Sequence, residues 1–89
     1  MSGVAATIKV MPENVETDLN ALKQKLREVT PAGAKVNGEI VEQPIAFGLK
    51  ALIVTVIVED GEGGTEGVEA AYESTPGVAG IQIMEMDRL

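Results

Sequence analysis

Residues 43–60 read Gln-Pro-Ile-Ala-Phe-Gly-Leu-Lys-Ala-Leu-Ile-Val-Thr-Val-Ile-Val-Glu-Asp, and within them residues 49–58 are the most hydrophobic stretch of the chain. In an extended strand Leu49, Ala51, Ile53, Thr55 and Ile57 share one face, and Lys50, Leu52, Val54, Val56 and Val58 share the other. Both sets are mostly apolar and rich in β-branched side chains. The stretch therefore reads as a central strand, flanked by neighbours and covered over much of both faces. It is too short to cross a bilayer as a helix, which takes about 20 residues.

Working outward, residues 4–11 form a first strand, with Val4, Ala6, Ile8 and Val10 on one face and Thr7 and Lys9 on the other. Pro12 ends it, and residues 13–16 form a polar connection that contains Val15. Thr17 is the expected N-cap of a helix, with Asp18 in its first turn where the helix dipole favours an anion. Leu19, Leu22, Leu26 and Val29 recur at helical spacing and mark its apolar stripe, and Pro31 and Gly33 stop it. Residues 30–38 hold too many breakers for a long element and read as a loop. Residues 39–42 form a second strand, short and followed by Pro44, which assigns it to a sheet edge.

After the long third strand, residues 59–65 make an acidic, glycine-rich turn. Thr65 is placed to cap a second helix with Val68, Ala71 and Tyr72 inward and Glu69 and Glu73 outward; Pro76-Gly77 closes it. Residues 78–86 form a fourth strand, followed by the tail Asp87-Arg88-Leu89. The order βαββαβ contains two interleaved right-handed crossovers. It predicts an α+β ferredoxin-like sandwich: a four-stranded antiparallel sheet with both helices on one face, and strands one and three in the centre.

Composition narrows the chemistry. The 89 residues fit one domain and contain no cysteine and no histidine, so disulfides, thiolate metal sites and the usual general base are all absent. Ser2, Ser74 and the threonines lack a histidine to activate them, which argues against nucleophilic catalysis. The net charge of −7, from fourteen acids and seven bases, argues against nucleic acid or an anionic membrane surface as partner. It suits a basic protein partner, or plain solubility. No basic segment followed by an apolar run opens the chain, so a soluble cytoplasmic protein is expected.

Glu59, Asp60 and Glu62 lie on a glycine-rich turn, where solvated charge outweighs a general-acid role, and no EF-hand spacing supports calcium. The turn has no lysine and its acids repel a phosphate. RNA-recognition domains share this fold but need exposed aromatics and basic charge. This chain has one Phe, one Tyr and the opposite charge. What remains is a binding module, for a protein partner or, alternatively, an effector-binding or oligomerisation module of the regulatory-domain type. Phe47 is central to that choice. Spacing alone favours a core aromatic at the start of strand three. An anchor exposed beside Gly48 is the functional alternative. Arg88 by itself reads as part of a frayed tail.

The ordered motifs carry a resemblance over essentially the whole chain. Pro12 and Glu16-Thr17-Asp18-Leu19 are followed by Pro44-Ile-Ala-Phe-Gly-Leu-Lys50, Val58-Glu-Asp60, Gly64-Thr65-Glu66 and a tail ending Arg88-Leu89. Together they resemble the archaeal elongation factor 1-beta family and the C-terminal domain of its eukaryotic relatives. These are guanine-nucleotide exchange factors for elongation factor 1-alpha, the GTPase that delivers aminoacyl-tRNA. The resemblance implies that residues 1–89 form a single exchange domain of ferredoxin-like fold, acting by contact without catalytic residues, cofactor or metal of its own. It implies that Phe47, beside Gly48, packs on the GTPase near its switch region. Arg88, where eukaryotic members have lysine, and Leu89 reach toward the partner's bound GDP and magnesium. Ala46 replaces the glycine usual in eukaryotic members, and the absence of their N-terminal extension implies a factor that acts alone.

Overall fold

The computed structural model describes residues 3–59 and 65–88. Strand β1 (Gly3–Pro12) leads into helix α1 (Leu19–Val29). Two short strands follow, β2 (Ala34–Val36) and β3 (Val41–Pro44), then a 3-10 turn at Ala46–Gly48 and the long strand β4 (Lys50–Glu59). Helix α2 (Glu66–Glu73) and strand β5 (Val78–Arg88) complete the chain. The sheet order is β2-β4-β1-β5, with β3 also paired to β4, and every pairing is antiparallel. This is the ferredoxin-like α+β arrangement, and the expected first and third strands, β1 and β4, lie at its centre.

The anticipated second strand is two strands on one edge. Both β2 and β3 pair with β4, but Val36 faces Val56 whereas Val41 faces Ile53. The edge thus takes five residue steps where β4 takes three, so part of it loops out of the ladder. Asn37 N–H still donates to Thr55 O at 2.7 Å. Gly38 then turns the chain at φ 78°, and Arg27 of α1 donates to its carbonyl at 3.1 Å. The excursion carries Ile40 into the core. Residues 30–38, expected as loop, therefore include β2, and the strand expected at 39–42 begins two residues later.

Leu52, Val54, Val56 and Val58 of β4 and Ala6, Ile8 and Val10 of β1 are buried beneath the two helices. Burial of each such valine or larger side chain contributes roughly 2 kcal/mol. The opposite set on β4, Ile53, Thr55 and Ile57, is only half-buried. The expectation of two-sided cover is corrected: both helices pack on one face, as the fold predicts, and the second apolar set tolerates partial exposure.

Helix α1 starts one residue later than anticipated. Asp18 is the N-cap, its carboxylate accepting from Ala21 N–H at 3.1 Å, while Thr17 bonds with Asn14 instead. Leu22 and Leu26 are buried and Leu19 packs against the core, but Val29 is 39% exposed because the helix ends there. At Thr65 the hydroxyl donates to the Glu69 carboxylate at 2.8 Å and caps no backbone N–H. Glu69, expected in water, is accordingly half-buried.

The two helices are joined through Tyr72, whose side chain is fully buried. Thr30 donates to Leu26 O at 2.7 Å, so the Tyr72 hydroxyl, 2.9 Å away, is the donor to Thr30 Oγ1. Burial pushes the Tyr72 hydroxyl pKa above 10.0, against smaller lowering effects from Thr30 and Arg27. No described helix is long and apolar enough to cross a membrane.

Candidate functional site

The segment between β3 and β4 presents Phe47. Ile45 N–H donates to Leu49 O at 2.8 Å and Leu49 N–H to Ala46 O at 3.2 Å, closing a tight turn. To close it, Phe47 adopts φ 61°, ψ 31°, and Gly48 follows at φ 78°. A left-handed conformation costs an L-residue roughly 1–2 kcal/mol. Phe47 is also 95% exposed, so it recovers nothing by burial. The core-aromatic reading is corrected: Tyr72 is the buried ring, and Phe47 stands in solvent at a strained position.

The loop between β1 and α1 lies against this turn. Asn14 Oδ1 accepts from Glu16 N–H at 2.8 Å and from the Thr17 hydroxyl at 3.4 Å. Thr17 Oγ1 accepts from Asn14 N–H at 3.3 Å, and Glu13 N–H donates to Gly77 O at 3.0 Å. These bonds fold the loop outward and leave Val15 61% exposed. A Cβ on Gly48 would sit 3.8 Å from Val15 Cγ1, which is ordinary contact, so the glycine is required by its φ and not by space. Between loop and turn runs a groove of about 250 Å³, lined among others by Pro12, Asn14, Val15, Gly48 and Lys50.

Lys50 is the cation of that groove. It lies 3.9 Å from Glu42, which pairs more closely with Lys23 of α1 at 3.0 Å. The hydrogen bond from Lys23 holds the Glu42 carboxyl below its usual 4.5, helped by the Lys23 charge and, less, by Lys50. One carboxylate is thus shared by two ammonium groups.

Arg88 lies elsewhere. It is the last residue of β5 and faces Val4 of β1, while Val78 at the other end of β5 faces Pro12. Asp87 and Arg88 therefore belong to the strand, which corrects the expectation of a frayed tail. Pro12 and Gly48 line one groove, so Phe47 sits at the Val78 end. Eight residue steps of β1 separate the ends, about 26 Å at the rise of a strand. Of the anticipated partner-binding residues, Phe47 and Gly48 are brought together, Arg88 is at the far end, and Leu89 lies outside the described residues. Asp60 and Glu62 of the acidic turn also lie outside them. Among the described residues no group of three or more acidic side chains is arranged to hold a metal. Sequence reasoning passed over Val15 and Lys50 as site residues. The available signal was a lone valine within a polar connection.

The chain is similar to known proteins along nearly its whole length. Residues 5–89 match the EF-1 guanine nucleotide exchange domain. The chain is 57% identical over 89 residues to elongation factor 1-beta of Methanosarcina barkeri, covering all of both chains. It is 48% identical over 89 residues to elongation factor 1-beta of Methanothermobacter thermautotrophicus, covering 100% of this chain and 99% of that one. The protein of the same name from Halobacterium salinarum is 47% identical with both chains fully covered. The matched domain takes in β1 from residue 5 onward, β4, both helices, the Phe47 turn and Arg88. The chain belongs to the EF-1 guanine nucleotide exchange family.

Proposed function

We propose that this chain is a translation elongation factor that promotes GDP/GTP exchange on elongation factor 1-alpha by protein contact. The single observation that carries the contact surface is Phe47: an aromatic side chain held in solvent by a strained, hydrogen-bonded turn. Its exposure does not serve the fold, and the turn that its backbone angle closes is one a glycine would close without strain; strain of this kind is retained at functional positions. Family membership supports the GTPase as the protein whose pocket Phe47 fills.

In this reading the chain makes no covalent bond. It binds the GTPase more tightly when nucleotide is absent, and by linkage it weakens nucleotide binding by the same factor. The end of β5, with Arg88 and the following Leu89, acts on the partner's magnesium and phosphate region. A guanidinium is permanently charged and competes there with the metal for negative oxygens. Phe47 anchors the other end of the sheet, about 26 Å away along β1. The contacts at Phe47 and Arg88 are therefore two separate patches on the partner, with the rigid sheet setting their spacing.

The test is release of a fluorescent GDP analogue from elongation factor 1-alpha at fixed magnesium, with this protein present in substoichiometric amount. Acceleration, with repeated turnover, is the expected result. An unchanged release rate across a range of magnesium concentrations and temperatures overturns the proposal.

A further inference from the structure

The end of the molecule that carries Phe47 presents more than one ring. Val15 is a second exposed apolar side chain there, 61% exposed and lining the same groove as Gly48 of the Phe47 turn. The two come from different loops, each closed by its own hydrogen bonds, so their spacing is set before any partner arrives. Among the described residues, Lys50 is the one charged residue that lines the groove beside Val15, and no carboxylate lines it. Glu42 is an acidic neighbour of Lys50, at 3.9 Å, and it is already bonded to Lys23 at 3.0 Å. Two ammonium groups thus share one carboxylate, so Glu42 does not fully offset Lys50. Lys50 is itself half exposed, which leaves its ammonium open to a further acceptor.

We propose that Val15 and Lys50 complete the Phe47 contact. The groove receives a carboxylate side chain of the partner protein onto Lys50, while Val15 and Phe47 seat in apolar surface around that carboxylate. This rests on the exchange-factor reading for the identity of the partner, and it assigns the chemistry of the surface that the partner must offer: an acidic residue bordered by apolar pockets. An apolar pair alone binds any greasy surface; the ammonium between loop and turn makes the contact selective, because a partner lacking the carboxylate leaves a desolvated cation unpaired.

The test measures the concentration of this protein that half-saturates GDP release from elongation factor 1-alpha, for wild type, Val15→Ala, Lys50→Gln and Lys50→Glu. A second readout is calorimetric binding to the nucleotide-free GTPase. The expected result is a rise of about tenfold in the half-saturating concentration for Val15→Ala and Lys50→Gln, and more for Lys50→Glu, with the maximal rate unchanged. Raising salt weakens wild-type binding more than that of Lys50→Gln. Lys50→Gln removes the charge and keeps a polar side chain, one atom shorter, without adding a negative charge beside Glu42, so it guards against misfolding of Lys50→Glu. Wild-type exchange with unchanged half-saturation in Val15→Ala and Lys50→Gln overturns this inference and leaves the exchange reading standing. Absence of both exchange and binding by the wild type overturns the exchange reading, and this one with it.

Discussion

Phe47 and Arg88 stand at opposite ends of one sheet: between Pro12, which lines a groove with Gly48, and Val4, which faces Arg88, β1 runs eight residue steps, or about 26 Å. The two side chains proposed to contact the partner therefore belong to different patches. Groups so far apart act additively unless the structure between them moves.

Phe47→Ala and Arg88→Ala should consequently fail in different ways. Loss of the ring should raise the half-saturating concentration for GDP release by at least about tenfold, the effect of an interface anchor. Loss of the guanidinium should lower the maximal release rate. In the double variant the two effects should multiply, with a coupling below about 0.5 kcal/mol. Kinetic titrations of the four proteins measure this, and strong coupling would mean that the two ends meet on one site.

Phe47→Gly should leave the fold intact. The φ of 61° is penalised for an L-residue by roughly 1–2 kcal/mol, and glycine removes that penalty while adding about 0.5–1 kcal/mol of unfolded-chain entropy. Urea unfolding should show stability unchanged or raised by up to about 1 kcal/mol. A loss of several kcal/mol would return Phe47 to the core.

Tyr72→Phe should cost about 1 kcal/mol, the net value of the hydroxyl's bond to Thr30, because Thr30 keeps its bond to Leu26 O. Tyr72→Ala should cost about 3–5 kcal/mol through the cavity left between the helices. The pH dependence follows from the raised pKa. Above pH 10.0 the unfolded phenol ionises while the buried one holds its proton, so this contribution is complete below pH 10.0 and declines as pH rises toward the folded pKa. Tyr72→Phe should lack that part of the alkaline decline, which denaturation at several pH values would reveal.

Glu42 has the opposite sign. Its folded pKa lies below 4.5, chiefly through the Lys23 hydrogen bond, so the pairing stabilises the fold above pH 4.5. The contribution disappears as pH falls through the lowered folded value. Glu42→Gln should flatten stability as pH falls below 4.5, by about the small amount typical of a solvent-exposed pair, and added salt should reduce the difference. Equal acid sensitivity in the two proteins would show that the pair contributes nothing.

The alternation of residues 4–11, the stripe Leu19, Leu22, Leu26 and the all-apolar run 49–58 were sufficient to order the elements and place β1 and β4 in the middle of the sheet. Local rules decide such features, because an apolar period of two or of 3.6 has few ways to bury itself. The edge was less legible. Gly38 looked like one breaker among several, yet it marks the excursion that splits the edge into β2 and β3 and sends Ile40 inward. That excursion depends on β4 and on Arg27, which lie outside the local window.

Sequence by itself determined the fold class, the family resemblance and the prominence of Phe47, since each follows from residue order and spacing. It did not determine which way Phe47 points. Spacing placed a phenylalanine at the head of a buried strand, where a ring is usually inside; the closed Ile45–Leu49 turn rotates it outward through a positive φ. Only the tertiary structure set Val15 beside that turn and Lys50, and put Arg88 at the opposite end of the sheet. The physical reason is common to both: antiparallel pairing joins residues far apart in the chain and parts others by the length of a strand, and neither distance is encoded in local periodicity.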